Sequence, residues 1–125
     1  MQPESLMTNC IFCDIIAKTA PAEILFEDDR CVVIKTIQPL TPIHLLIIPR
    51  KHYTSLNDFT EAESELAGHL LLVAKLMASR MGISESGYRV AINIGAGAGQ
   101  TIFHLHLHLL GGRPMGAGLM TERLG

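Results

Sequence analysis

The segment His104-Leu105-His106-Leu107-His108-Leu109-Leu110, followed by Gly111-Gly112, places three of the chain's six histidines within five residues. Spacing matters more here than number. In an extended strand, successive side chains point to opposite faces. His104, His106 and His108 therefore share one face, and Leu105, Leu107 and Leu109 share the other. Backbone positions two apart in a strand are separated by about 6.5–7 Å, so neighbouring imidazoles can converge on one phosphate or one metal. A helix would scatter the same residues around its axis. A single strand histidine is ordinarily a satisfied core or surface residue. Three on one face are a different matter, because an apolar environment does not tolerate three unpaired imidazoles. Two chemistries fit: a three-histidine metal site, or a nucleophilic histidine flanked by phosphate-binding ones. Imidazole suits the second role, since it is partly neutral near pH 7, attacks phosphorus and leaves once protonated.

Working outward, the chain has 125 residues, 48% hydrophobic and 18% charged, with a net charge of −2. This describes one globular domain, 1–125, with residues 1–9 as an N-terminal extension and 113–125 as a C-terminal tail. The charge leaves no footprint for nucleic acid, and no apolar run is long enough to span a membrane. Met1-Gln2-Pro3-Glu4-Ser5 lacks the basic and apolar regions of a signal peptide. Three cysteines form no disulfide framework, so a reducing cytoplasm is the expected setting.

Hydrophobic periodicity predicts a short helix over 10–18, with Ile11, Ile15 and Ile16 on one face and Pro21 ending the segment. Ile24 to Glu27 and the β-branched run Cys31 to Thr36 read as a hairpin around Asp28-Asp29. Leu45-Leu46-Ile47-Ile48, within 44–49, fits a central strand buried on both faces. Thr60 and Glu63 form a capping box. Leu66, Leu70, Val73 and Met77 then recur at helical spacing up to Gly82, giving one long helix that packs on a sheet. His69 falls at a surface or boundary position of that helix. Residues 87–94 form a further strand. The expected architecture is α+β: an antiparallel sheet of about five strands, one long helix and a short N-terminal helix.

Two other constellations carry chemistry. Gly95, Gly97 and Gly99 precede a strand rather than a helix, and no Gly-Lys-Ser/Thr follows. The loop is therefore neither a Walker loop nor a dinucleotide fingerprint. It is a hairpin loop, or one whose glycines let backbone amides approach an anion, with Gln100 and Thr101 as donors at its rim. Cys10-x-x-Cys13 reads as a zinc half-site, a redox pair or two small core residues.

The histidine run matches the His-φ-His-φ-His-φ-φ signature (φ apolar) of the histidine triad (HIT) superfamily. Gly111-Gly112-Arg113-Pro114 resembles its Hint branch, the purine nucleoside phosphoramidases. Similarity extends over Cys10 to Ile16, Glu27-Asp28-Asp29, Pro42-Ile43-His44 to Pro49, and Gly99-Gln100, roughly residues 10 to 115. His108 stands where the galactose-1-phosphate uridylyltransferase branch has Gln.

The resemblance implies that His106 takes the nucleoside monophosphoryl group as nucleophile and that His108 bonds the α-phosphate. Gln100 and Thr101 would lie near the phosphate, with Thr101 where the family often has Ser. Asn93 would bind the ribose-phosphate region, and His44 would stand near the active site. Hydrolysis would proceed through a covalent nucleotidyl-histidine, with no cofactor required for catalysis. Thr36 occupies the position of the branch's ribose-binding Asp, a weaker acceptor. This keeps open dinucleoside polyphosphate hydrolysis or nucleotidyl transfer, and a nucleotide-binding scaffold role is a third reading. The tail lacks Trp and resembles bacterial rather than animal Hint tails. Several HIT proteins pair such cysteines with histidines matching His52 and His104, which implies a structural zinc held by Cys10, Cys13, His52 and His104. Without zinc, His104 would support His106. A purine nucleotide substrate and a homodimer complete the implied picture.

Overall fold

The computed structural model describes residues 9–116. Residues 1–8 of the extension and 117–125 of the tail lie outside them. The elements are α1 (Ile11–Ile16), β1 (Ile24–Glu27), β2 (Cys31–Lys35), β3 (Ile43–Pro49), α2 (Ser64–Arg80), β4 (Tyr88–Ala91) and β5 (Leu107–Gly111). The strands form one antiparallel sheet in the order β1-β2-β3-β5-β4, as expected of the α+β class.

β3 is central and lies between two apolar layers, as its continuous hydrophobic run predicts. On one face Leu45 and Ile47 join Val33, Leu107 and Leu109 beneath Leu70, Val73 and Met77 of α2. On the other, Leu46 and Ile48 join Val32 and Ile34 beneath Phe12 and Ile15 of α1. The capping box at Thr60 and Glu63 is present, and it caps a short 3-10 turn that runs into α2.

Two local expectations differ from the structure. The buried face of α1 is Phe12 and Ile15, whereas Ile11 is 45% exposed. Cys10, in extended conformation, is the N-cap and accepts from the Cys13 N–H through Sγ, which starts the helix at Ile11 and turns Phe12 inward. The histidine segment also enters the ladder only at Leu107. The last paired residues are Ile47 and Leu107. Pro49 beyond them has no N–H to donate, and the Leu105 N–H goes instead to Tyr53 O at 2.7 Å. The alternation of faces nevertheless holds through 104–106: Leu105 lies in the α2 core, while Phe12 meets the rings of His104 and His106.

The strand ends at a glycine pair for two separate reasons. A Cβ on Gly111 would stand 2.6 Å from Ile83 Cδ1, and Gly112 adopts φ +97° with Pro42 Cβ 3.0 Å from where its Cβ would be.

His69 lies at the boundary, as expected, but it has a partner that the sequence does not announce. Its Nε2 is 2.6 Å from Asp28 Oδ2. Asp28 Oδ1 accepts from the Arg30 and Cys31 N–H groups, both at 2.8 Å, so the pair ties α2 to the β1–β2 turn. Partial burial raises the Asp28 pKa. The two backbone donors and His69 outweigh that and hold it at about 2.

Candidate active site and metal-ligand cluster

The rings of His44, His104, His106 and His108 have partners that fix which nitrogen carries the proton in the neutral state. The Pro49 carbonyl can only accept, so His104 Nε2–H donates to it at 2.8 Å. The His104 lone pair then lies on Nδ1. Burial, the largest influence, pushes the His104 pKa down to about 4 despite the Pro49 hydrogen bond, so the ring is neutral at pH 7. His106 Nδ1–H donates to the His104 carbonyl at 2.7 Å, which makes Nε2 the unprotonated nitrogen of His106.

His108 is set from the other side. The Leu40 N–H donates to His44 Nδ1 at 3.1 Å, and His44 Nε2 lies 3.0 Å from His108 Nδ1. Since His44 Nδ1 is already accepting, His44 Nε2–H is the donor and His108 Nδ1 the acceptor. His108 therefore carries its proton on Nε2. Burial and the neighbouring His106 both lower the His44 pKa, which keeps the ring in this neutral form. The rings of His106 and His108 are 5.0 Å apart between centroids. An unprotonated nitrogen and an N–H donor are thus carried on adjacent rings, the pairing that attack on a phosphorus and binding of its oxygen require. His44, His106 and His108 are 4%, 5% and 2% exposed, so these dipoles act in a water-poor setting.

The remaining expected residues are distributed around this trio. Thr36 follows β2, and its N–H donates to His44 O at 3.3 Å while its hydroxyl accepts from Gln38 N. Asn93 packs against the glycine loop, its Nδ2 3.7 Å from where a Gly99 Cβ would be. Gln100 is buried rather than at the rim. Its Oε1 accepts from Gly95 N, and its amide nitrogen donates to the carbonyls of Thr54 and Ile102. Both amide hydrogens are thereby engaged, and Gln100 braces the 95–100 loop. Thr101 is exposed and lines a cleft of about 540 Å³ together with Cys10, Ile11 and His52. Phe12 is a site residue that sequence reasoning missed. Its ring lies edge-on to His104 at 5.9 Å and to His106 at 5.1 Å between centroids. The one available signal was its place inside Cys10-x-x-Cys13.

Cys10, Cys13, His52 and His104 come together from three parts of the chain, each offering one ligand atom, all within 4.8 Å of one another. His104 Nδ1 is 3.4 Å from Cys10 Sγ and 3.6 Å from Cys13 Sγ, and Cys13 Sγ is 3.2 Å from His52 Nδ1. A tetrahedral zinc with bonds of about 2.3 Å to sulfur and about 2.0 Å to nitrogen spaces its ligands at about 3.3–3.8 Å. The donor set therefore fits such an ion, and the lone pair on His104 Nδ1 points into it. Without a metal, burial first and then Cys10 push the Cys13 thiol up to about 12.

A family model described as the HIT domain matches residues 17–115. An uncharacterized HIT-like protein of Synechocystis is 49% identical over 106 residues, covering 85% of this chain and 92% of its own length. Among solved structures, a HIT family hydrolase from Legionella pneumophila superposes with a TM-score of 0.85 at 45% identity, over 86% of this chain and 96% of that one. A histidine triad family protein from Mycobacterium smegmatis, described as Zn-bound, has a TM-score of 0.75 at 36% identity, over 85% of this chain and 76% of that one.

Proposed function

The chain belongs to the HIT domain family, and on that premise we propose that it hydrolyses purine nucleoside phosphoramidates through a nucleotidyl-histidine on His106. One observation carries the reading: the proton arrangement that leaves His106 Nε2 unprotonated beside the Nε2–H of His108. In the first step His106 Nε2 bonds to the α-phosphorus and the P–N bond breaks, the departing amine taking up a proton from solvent. His108 donates to a phosphate oxygen. The His106 ring becomes cationic, and the His104 carbonyl that accepts its Nδ1–H stabilises the charge. Water then attacks phosphorus, His106 departs from it, and the nucleoside monophosphate is released. The similarity to a HIT family hydrolase supports hydrolysis as the net reaction.

The test compares kcat/KM for adenosine phosphoramidate and for diadenosine tetraphosphate, in wild type and in His106→Ala. The proposal expects the phosphoramidate to be preferred, and both rates to vanish in the variant while AMP still binds, with lowered affinity. An undiminished rate in His106→Ala refutes the nucleophile. AMP binding without turnover of either compound favours a binding role.

We further propose that Cys10, Cys13, His52 and His104 hold a structural zinc, which would close a tetrahedral site and staple α1 to the loop after β3. Metal analysis should find about one zinc per chain, lost in Cys13→Ser.

We also propose a homodimer. Leu71, Leu72 and Leu76 of α2 are 53%, 63% and 37% exposed, and β4 is an edge strand. A second copy would cover these groups, and light scattering should report twice the chain mass for wild type and the single mass for Leu72→Glu. Among the described residues no helix is long and apolar enough to cross a membrane.

A further inference from the structure

His104 faces two ways. Its Nδ1 points at Cys10 and Cys13, while its carbonyl accepts the proton that sets the tautomer of His106. We propose that the Cys10–Cys13–His52–His104 cluster is a positioning device for the nucleophile: a divalent metal bound there fixes the orientation and tautomer of His106, so metal occupancy controls nucleotide binding at the triad. The inference rests on the zinc reading and the nucleotide site proposed above.

Two physical routes join the sites. The first is the backbone of His104–His106. It leaves the β ladder here, since β5 begins only at Leu107. The contacts that hold it include Leu105 N–H to Tyr53 O, His104 Nε2–H to Pro49 O, and the thiol contacts of the His104 ring. Tyr53 adjoins His52, so a metal joining His52 to His104 would clamp both sides of the Leu105–Tyr53 hydrogen bond. The second route is Phe12, which lies between the two cysteines in sequence and packs edge-on against His106. α1 is six residues long, too short to be stable by itself. Its position, and with it the Phe12 ring, depends on what anchors it. Coordination through Cys10 and Cys13 anchors both ends of the turn that carries Phe12. A purely structural staple would raise stability and leave His106 unchanged. A positioning device must change His106 itself, and the linkage must be reciprocal: metal tightens nucleotide binding and nucleotide tightens metal binding by the same factor.

The experiment uses the full chain with 15N-labelled histidine, zinc-loaded and then stripped with a chelator, with AMP as the probe. In the loaded form, long-range 1H–15N spectra should show a protonated Nδ1 and an unprotonated Nε2 on His106. Stripping should move these signals toward a tautomer mixture and weaken AMP binding by about fivefold or more. Saturating AMP should slow the loss of zinc to the chelator and raise zinc affinity by the same factor. His52→Ala serves as a second arm, because His52 is exposed and its removal leaves the core packing intact. At limiting zinc it should reproduce the stripped spectrum without unfolding, and His52→Cys, which restores a ligand, should reverse it. Zinc binding at the cluster with unchanged His106 signals and AMP affinity overturns this inference alone. A chain that takes up no zinc overturns the metal reading as well.

Discussion

His44 makes no contact with a reacting atom in the scheme above, yet its replacement should disable the site. The ring is 4% exposed and bridges two groups: it accepts from Leu40 N–H through Nδ1 and donates to His108 through Nε2. His44→Phe keeps the ring volume and removes both bonds. An orphaned buried polar group costs about 1–3 kcal/mol. Leu40 is half-buried and can recruit water, so the sum should be about 2–4 kcal/mol, less than the stability of an ordinary domain. His108 meanwhile loses the donor that keeps its own proton on Nε2. A differential of about 1–3 kcal/mol at the transition state lowers kcat/KM by about 5- to 150-fold.

Two further variants separate the two bonds. The amide of Asn reaches the Nδ1 position, so His44→Asn can keep the Leu40 bond and lose the His108 one. The amide of Gln reaches the Nε2 position, so His44→Gln can do the reverse. Phosphoramidate turnover should show Gln closer to wild type in rate, and urea unfolding should rank the two in the same order, because the Leu40 N–H can recruit water whereas buried His108 cannot. Equal rates in Asn and Gln, or less than a threefold loss in Phe, would refute the proton relay.

Acid should destabilise the zinc-free protein in two stages. His104 has a folded pKa lowered to about 4, so its contribution is complete above its ordinary 6.5 and is lost as pH falls toward 4. Asp28, lowered to about 2, contributes fully above 3.8 and loses that as pH falls toward 2. Urea midpoints at pH 7.5, 5.5 and 4 should fall steadily, and a flat profile would contradict the burial of neutral His104. His69→Ala removes one of the groups that lower the Asp28 pKa. It should raise the Asp28 pKa in an NMR titration and cost about 1 kcal/mol. Gly111→Ala forces Ile83 to move and should cost about 1–3 kcal/mol by chemical denaturation.

Much of this arrangement was legible because it is written in short-range periodicity. The continuous apolar run of 45–48 predicts a strand with two covered faces, and β3 has them. The period-2 alternation of 104–109 placed histidines and leucines on opposite faces even where the ladder fails, because extended backbone alternates with or without a hydrogen-bonded neighbour. What periodicity could not supply were the partners. The bond from His69 to Asp28 spans 41 residues and that from His44 to His108 spans 64. No local pattern encodes either. Spacing alone puts Ile11 on the apolar face of the first helix with Ile15 and Ile16, whereas the Cys10 N-cap sets the phase that turns Phe12 inward in its place. Gln100 follows the glycine loop and reads as a donor at its rim, and only the positions of Thr54 and Ile102 show why it turns inward. The Cys10-x-x-Cys13 spacing was compatible with three roles. The 94 residues separating Cys10 from His104 meant that resemblance alone connected them before the fold did.

The central claim concerns one nitrogen, His106 Nε2, and it can be tested by catching what that nitrogen forms. Mixing enzyme with excess adenosine phosphoramidate, quenching within milliseconds in base (where phosphohistidine survives), and measuring peptide masses should show one adenylyl group on the 104–108 segment. Fragmentation should place it on His106, and its amount should match the burst of released amine. Turnover with no adduct at any time point, or an adduct on His104 or His108 instead, would contradict the account.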